Sequence, residues 1–322
     1  MTTTNIDPPI IDLAPLLSAP SSSAATLVVE AIHSACIETG FFVVIGHALD
    51  REMAAAFEAA RAFFVMPQHD KEVVPSVDGY GFVPHERLAL DARRSGKGTE
   101  FLDMGLADEV PLPALAGFRQ AVRSYQGAAL GLSAVLFGAL SRSLEIEPEF
   151  FETRMNNPQC KLRFMHYPQV KPDLNGALPV ATTPHTDYGA LTLLATDGVP
   201  GLEVKPIGAE WVPVVTPAGS LVVNLGDMLA RWTNGIYQST PHRVIGPSHC
   251  DRFSIPFFVN PDPNVVIDCI PTCVTEQRGC QYEPVRAGDF LASRINSSAE
   301  PYVDPQEGPV RNVLPSQTKR RD

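Results

Sequence analysis

The stretch "TPHTDYGALTLL", Thr183 to Leu194, places His185 and Asp187 two residues apart and follows them with an apolar run. In an extended chain, residues i and i+2 project from the same face. An imidazole and a carboxylate would then point together just ahead of a strand. A lone His-x-Asp is common in polar turns, so its meaning rests on what the rest of the chain supplies. A divalent metal needs a third ligand from elsewhere.

His242 is the best third ligand among the eight histidines. It opens "HRVIG", a β-type run 55 residues beyond Asp187, which is enough chain to cross a sheet and return. Two imidazoles and one carboxylate form the facial triad that holds non-haem Fe(II). The other histidines read more simply. His33 lies on a helix and is expected to be packed or solvated. His47 follows a strand and marks a turn. His69 and His85 sit in polar segments at the surface, and His249 is in the loop "PSHCD". His166 alternates with Tyr167, so the two face opposite ways.

Ten residues after His242 comes "RFSIPFF". Arg252 and Ser254 are again i and i+2, so guanidinium and hydroxyl share a face. An arginine on an inner barrel face is costly unless it meets an anion. A guanidinium fork beside a hydroxyl suits a carboxylate. The competing reading is a structural ion pair with an Asp or Glu.

Composition narrows the classes. The 322 residues suit one large domain or two smaller ones, and 44% hydrophobic with 19% charged residues is ordinary for a soluble globular enzyme. A formal net charge of −11 repels phosphate backbones and anionic lipid surfaces, so neither nucleic acid nor membrane is expected as a partner. A pocket can still hold a basic group for an anion. "MTTTNIDPPIIDL" lacks a basic n-region and a long apolar stretch, and no run approaches a membrane span, so a cytoplasmic protein is expected. The six cysteines include no CxxC pair. Cys269, Cys273 and Cys280 cluster, but their spacing fits none of the usual zinc patterns, and reduced thiols are the default.

Along the chain, "PPIIDLAPLL" reads as a short strand and turn, and "AATLVVEAIHSACIETG" as a helix stopping at Gly40. "FFVVIGH" is a buried strand, Asp50 a cap for the helix that ends before Pro67, and roughly Ala114 to Leu144 a long helix. From about Leu162, short β-rich runs alternate with turn formers, as in a sandwich or barrel. The two halves are expected to share one core, because no clear linker separates them. The stretch after residue 300 is polar and expected to fray.

Together "HTDYGALTLL", "NLGDMLARWTNG", "STPHRV" and "RFSIPFF" resemble the isopenicillin N synthase-like family of Fe(II)/2-oxoglutarate dioxygenases. "PPIIDL", "TGFFVVIGH", "ARAFFVMP", "GKGTEFLDMGL" and "LRFMHYP" follow the family's usual order, so the resemblance runs from Pro8 to Ser297. It implies an α+β chain whose core is a double-stranded β-helix, a jelly-roll barrel framed by N-terminal helices. Residues 1–110 would form the mixed N-terminal region, 111–160 the supporting helix, 161–300 the jelly roll and 301–322 a tail.

The resemblance also implies the chemistry. Fe(II) would be held by His185, Asp187 and His242. 2-Oxoglutarate would chelate it, with its far carboxylate on Arg252 and Ser254 and a further bond from Tyr167. O2 would be the oxidant, succinate and CO2 the by-products, and ascorbate a candidate reductant. A small organic substrate would be hydroxylated or desaturated by a monomer or homodimer. One departure stands out: Met165 and His166 replace the Asn and first Tyr of the family's "NYYP" segment. "LRFMHYP" with "HTDYG" is similar to the family's pyrimidine hydroxylases. Two alternatives stay open here, a same-family oxidase that does not use 2-oxoglutarate and a non-catalytic jelly roll.

For the substrate pocket, strand parity puts Phe258 with Arg252 and Ser254, and Arg163 with Tyr167. Tyr188, Phe82 and Phe101 join them by position. An inward Arg163 favours a substrate carboxylate or carbonyl. Phe258, Phe82 and Phe101 could equally be core aromatics, and Arg163 could pair structurally.

Overall fold

The computed structural model describes residues 7–76, 79–84, 99–107 and 112–297. His85, part of "GKGTEFLDMGL" and the tail from residue 301 lie outside them. The first half supplies β1 (Ile10–Asp12), α1 (Ala14–Ser18), α2 (Ser23–Glu38), β2 (Phe41–Ile45), α3 (Asp50–Phe64), α4 (Gln68–Lys71), β3 (Gly81–Val83), β4 (Glu100–Gly105) and α5 (Phe118–Ser143). The second half begins with β5 (Gln159–Tyr167), β6 (Val180–His185), β7 (Leu191–Thr196), β8 (Leu202–Val204) and β9 (Val212–Pro213). β10 (Leu221–Leu225), α6 (Asp227–Trp232), β11 (His242–Ile245), β12 (Arg252–Asn260) and α7 (Ala287–Ser297) complete the parts that position the site.

Local chemistry sets several boundaries. The Ser22 hydroxyl accepts from the Ala25 amide at 3.1 Å and caps α2. Gly40 ends that helix region at φ 63°, and a Cβ there would stand 2.2 Å from the Gln238 carbonyl oxygen. The long helix starts at Phe118 rather than Ala114, because Gly117 ahead of it turns left-handed at φ 73°. Asp50 makes no cap: Leu49 holds that position, and the Asp50 charge lies in the first turn, where the helix dipole favours it. The segment after "PPIIDL" continues into α1 instead of a turn.

The strands form two facing sheets. One has eight strands in the order β1-β2-β10-β7-β12-β5-β4-β3, and the other runs β6-β11-β8-β9. First-half strands therefore sit at both edges of the large sheet. Parity sorts its two faces. Phe42, Val223, Leu193, Phe257, Phe164 and Leu102 point outward and pack under the helices. Phe41, Val43, Val222 and Tyr167 point inward and meet Ala181, Leu202, Val204, Val212 and Val244 of the small sheet. The single shared core expected from the sequence is thus two layers, a helix-covered outer core and a barrel interior.

Phe82 belongs to the outer layer. It pairs in register with Leu102, is 3% exposed, and packs edge-on against Phe63 at 5.5 Å. Its placement in a substrate pocket is corrected: a one-residue step along a strand exchanges faces, and the neighbouring register pair Val83 and Phe101 takes the inner one. His47 also differs from a simple turn residue. It is buried, donates from Nε2 to the Gly219 carbonyl at 2.7 Å and accepts the Leu49 amide on Nδ1 at 3.0 Å.

Candidate metal and co-substrate site

His185 is the last residue of β6 and His242 the first of β11, and the two are direct register partners. Their ring centroids are 4.2 Å apart. Each Nδ1 faces a backbone carbonyl, Thr183 at 2.8 Å and Thr240 at 3.2 Å. A carbonyl oxygen only accepts, so both Nδ1 atoms carry a proton, and in the neutral imidazole this tautomer turns the Nε2 lone pair toward the site.

Asp187 is not on the strand. It lies two residues past β6, in a loop held from below by α6. The Asp227 amide donates to the Asp187 carbonyl at 2.8 Å, and the Met228 amide to Gly189 at 3.1 Å. Gly226 permits this approach, because a Cβ there would lie 2.3 Å from the Gly189 carbonyl oxygen. "HTDYGA" and "NLGDM" are therefore interlocked backbones.

The Asp187 carboxylate divides its oxygens. Oδ2 accepts from Thr192 Oγ1 at 2.6 Å and Asn224 Nδ2 at 2.7 Å. Oδ1 lies 4.0 Å from His185 Nε2 and 3.8 Å from His242 Nε2. These separations are too long for hydrogen bonds. They suit donors converging on one ion, with one atom from each residue lying within 4.8 Å of the others. Burial pushes the Asp187 carboxyl up, but His242, His185 and the bonds from Thr192 and Asn224 outweigh it and hold it below its usual range. Burial and the neighbouring His185 push His242 down to about 4, which leaves a neutral imidazole at neutral pH. The donor set fits a divalent iron.

Arg252 is 1% exposed on the inner face. Its Nε donates to the Val199 carbonyl at 3.1 Å, and its guanidinium lies 4.8 Å above the Tyr167 ring. Its Nη1 is buried with no hydrogen-bond partner among the described residues. Ser254 is buried on the same face, in register with Met165. A desolvated, unpartnered guanidinium nitrogen is costly, and a carboxylate would remove that cost. Tyr167 donates its hydroxyl to Met165 Sδ at 3.1 Å, a weak acceptor. The Met165 departure thus sits beside Tyr167 and Ser254.

The remaining residues divide. Arg163 faces inward but forms a fork with Asp103, 2.5 Å from Nε to Oδ1 and 2.7 Å from Nη2 to Oδ2. Phe101 lies 3.9 Å from its guanidinium and Phe258 5.9 Å. Tyr188 is half-buried, with the Arg294 guanidinium of α7 at 5.1 Å from its ring. Sequence reasoning missed Thr192, Asn224, Asp103 and Arg294. Asn224 had a signal, a polar residue inside the apolar run "LVVNL".

Residues 157–261 match the 2OG-Fe(II) oxygenase superfamily, and residues 8–114 match the non-haem dioxygenase in morphine synthesis N-terminal family. A 2-oxoglutarate-dependent dioxygenase of Monascus ruber is 34% identical over 274 residues, 78% of this chain and 83% of the relative. The chain belongs to the 2OG-Fe(II) oxygenase superfamily. Clavatol oxidase of Penicillium crustosum is 31% identical over 78% of this chain and 84% of its own. A full-length Neurospora crassa protein in complex with alpha-KG and 5-formyluracil superposes with a TM-score of 0.81 at 26% identity, covering 89% of this chain and 95% of that one. The rice dioxygenase for auxin oxidation gives a TM-score of 0.76 at 26% identity over 92% of this chain and 97% of its own.

This superfamily member is a jelly-roll, non-haem Fe(II)/2-oxoglutarate-dependent dioxygenase that acts on a small molecule. Among the described residues, no helix is long and apolar enough to cross a membrane.

Proposed function

We propose that His185, Asp187 and His242 hold the iron, that Arg252 and Ser254 take the far carboxylate of 2-oxoglutarate, and that Tyr167 walls that pocket. Residues 161–300 would carry this chemistry, with 1–110 and 111–160 as its frame. The unpartnered, buried Nη1 of Arg252 carries the assignment of the co-substrate. Bound iron(II) with 2-oxoglutarate supplies the oxidising power that removes a hydrogen from the substrate. The protein orients and shields. Thr183 and Thr240 fix the imidazole tautomers through Nδ1, Thr192 and Asn224 turn Asp187 Oδ1 toward the two Nε2 atoms, and the apolar barrel interior keeps water from the reacting face.

Phe101, Arg163, Phe258 and Tyr188 form the proposed substrate side. Asp103 already neutralises Arg163, so a substrate carboxylate would have to compete with that fork. A neutral, planar molecule with a carbonyl edge suits the wall better: carbonyl against the free guanidinium edge, ring beside Phe101 or Phe258. The same Neurospora crassa protein in complex with alpha-KG and thymine, 25% identical over 90% of this chain with a TM-score of 0.81, supports that class.

Two measurements test the reading. Arg252→Gln is expected to weaken 2-oxoglutarate binding by roughly 30-fold or more, the loss of a buried charged partner, while iron binding stays unchanged. Unaltered 2-oxoglutarate affinity would remove the assignment. A panel of neutral heteroaromatic carbonyl compounds, phenolics and amino acids, scored by succinate release, tests the substrate class. Stimulation by amino acids alone would sink it.

A further inference from the structure

Cys269, Cys273 and Cys280 form a sequence cluster that the dioxygenase site leaves unused. The fold separates them. Cys273 is buried, Cys269 is half-buried and Cys280 is exposed. The Sγ atoms of Cys269 and Cys280 lie 2.6 Å apart. That is well inside the roughly 3.5–4.0 Å at which non-bonded heavy atoms rest.

The pairing is held by its surroundings. Asn234, fully buried just after α6, sits at the centre of the loop. Its Nδ2 donates to the Cys273 carbonyl at 3.0 Å and the Gly279 carbonyl at 3.2 Å. Its Oδ1 accepts the Gln281 amide at 2.9 Å and faces Cys269 Sγ at 3.5 Å. Both sulfurs also face the Tyr282 carbonyl oxygen, at 3.7 Å from Cys269 and 3.1 Å from Cys280. One buried side chain thus ties both limbs of the loop and brings the two thiols together.

Asp268 stands near enough to complete a three-ligand metal set. The sulfur spacing argues against it. Two thiolates on one tetrahedral zinc, each at about 2.3 Å, would stand ~3.8 Å apart. Thiols this close suit a bond between them.

We propose that Cys269 and Cys280 are an oxidisable pair that closes to a disulfide and ties the two limbs of the 268–282 strap to each other around Asn234. With hydrogen peroxide as oxidant, exposed Cys280 is attacked first: its sulfur takes one oxygen and becomes a sulfenic acid, and one water leaves. Cys269 Sγ then displaces the second water. Two S–H bonds break, one S–S bond forms, and the two electrons reduce the peroxide to two waters. Burial raises the Cys269 thiol above its ordinary value and Cys269 is only half-exposed, so the exposed Cys280 meets the oxidant first and Cys269 acts second. The strap matters because α6 donates the amides that hold the Asp187 loop.

The test uses the full chain, freed of reductant, treated with hydrogen peroxide and quenched. Titratable thiols in the denatured protein should fall from six to four, with an intact mass lower by about 2 Da. Digestion should yield a Cys269–Cys280 cross-linked peptide, and dithiothreitol should restore all six thiols. Cys280→Ser and Cys269→Ser should each abolish the cross-link, whereas Cys250→Ser should retain it. The oxidised form should melt above the reduced one. A persisting set of six thiols, a cross-link through Cys273 or Cys250, an equal melting temperature, or zinc that must be chelated before the pair reacts would each overturn the proposal.

Discussion

His242 Nε2 stands 3.8 Å from Asp187 Oδ1, while the other oxygen of that carboxylate is held by Thr192 and Asn224. Those two bonds fix the direction in which Oδ1 points. Thr192 and Asn224 face each other across adjacent strands, in register on β7 and β10. The orientation of this proposed iron ligand is thus set by two neighbouring strands of the sheet.

Asn224→Ala should expose that dependence. The Asp187 carboxylate loses one of two restraints and can rotate. Metal affinity should fall by roughly 10- to 100-fold, the usual cost of removing an outer partner of a ligand. Titration with Fe(II) under anaerobic conditions, or with Co(II) as a spectroscopic stand-in, measures it. Wild-type affinity in a folded variant would show that the bond to Asn224 does not orient the ligand.

Asp103 and Arg163 make a second prediction. Asp103 is almost wholly buried, and it also has Lys161 Nζ at 3.4 Å. Asp103→Leu leaves the Arg163 guanidinium without its partner, and an uncompensated buried charge costs about 3–5 kcal/mol. The Arg163 side chain is a quarter exposed, so solvent relieves part of this and about 2 kcal/mol is expected. Adding Arg163→Met should recover much of the loss. Urea unfolding of the single and double variants reads both numbers. Recovery of substrate-stimulated turnover in the double variant would show that Arg163 has no part in substrate binding.

The candidate pairs His185 with Asp187 and Arg252 with Ser254 were legible in the sequence because each is local. Each pair stands two residues apart; strand parity puts Arg252 and Ser254 on one face, whereas Asp187 lies in the loop beyond β6. Asp187 was placed with its histidine for a partly wrong reason: the loop beyond β6 is held by α6 amides, which no local pattern reveals. Thr192, Asn224 and Asp103 were missed because their roles depend on which strands are neighbours. Phe82 was misplaced for the same reason, since its face follows from pairing with Leu102. Strand order in a barrel is non-local, and a single sequence carries little of it.

A buried charge network on the outer face predicts a pH window for stability. His166 contacts Glu100 at 2.9 Å and Asp251 at 3.0 Å, and Lys71 donates to Glu100 at 2.7 Å. Burial pushes the His166 imidazole down, but the two carboxylates outweigh it and raise it above its ordinary value. Burial would raise Glu100, but the bonds from His166 and Lys71 hold it below the usual carboxylate range. The raised histidine contributes stability that is full below about 6.5, its ordinary value, and is lost as pH rises through the raised value. The depressed carboxylate contributes stability that is full above about 4.3 and is lost as pH falls through its lowered value. The melting temperature should therefore peak between these limits. His166→Gln should flatten the alkaline side and weaken the acid side, where Lys71 alone still holds Glu100 down. A wild-type melting temperature that is flat from pH 5 to pH 9 would contradict this.

Phe82 and Phe101 lie on neighbouring strands but face opposite layers, and truncation should separate their roles. Phe82 is enclosed by Phe63, and the Lys71 ammonium lies 5.3 Å from its ring. Phe82→Ala should cost about 3–5 kcal/mol through lost burial and a cavity, with the KM for substrate and for 2-oxoglutarate unchanged in the fraction that stays folded. Phe101 is half-buried on the inner face, against the Arg163 guanidinium. Phe101→Ala should cost less stability, because less apolar surface is lost and solvent already reaches the ring. It should raise the KM for substrate and the share of 2-oxoglutarate consumed without substrate oxidation, because the wall that positions the substrate is gone. Measuring succinate and oxidised product in parallel distinguishes the two. Equal coupling in Phe101→Ala and wild type would remove Phe101 from the substrate wall and leave it a packing residue like Phe82.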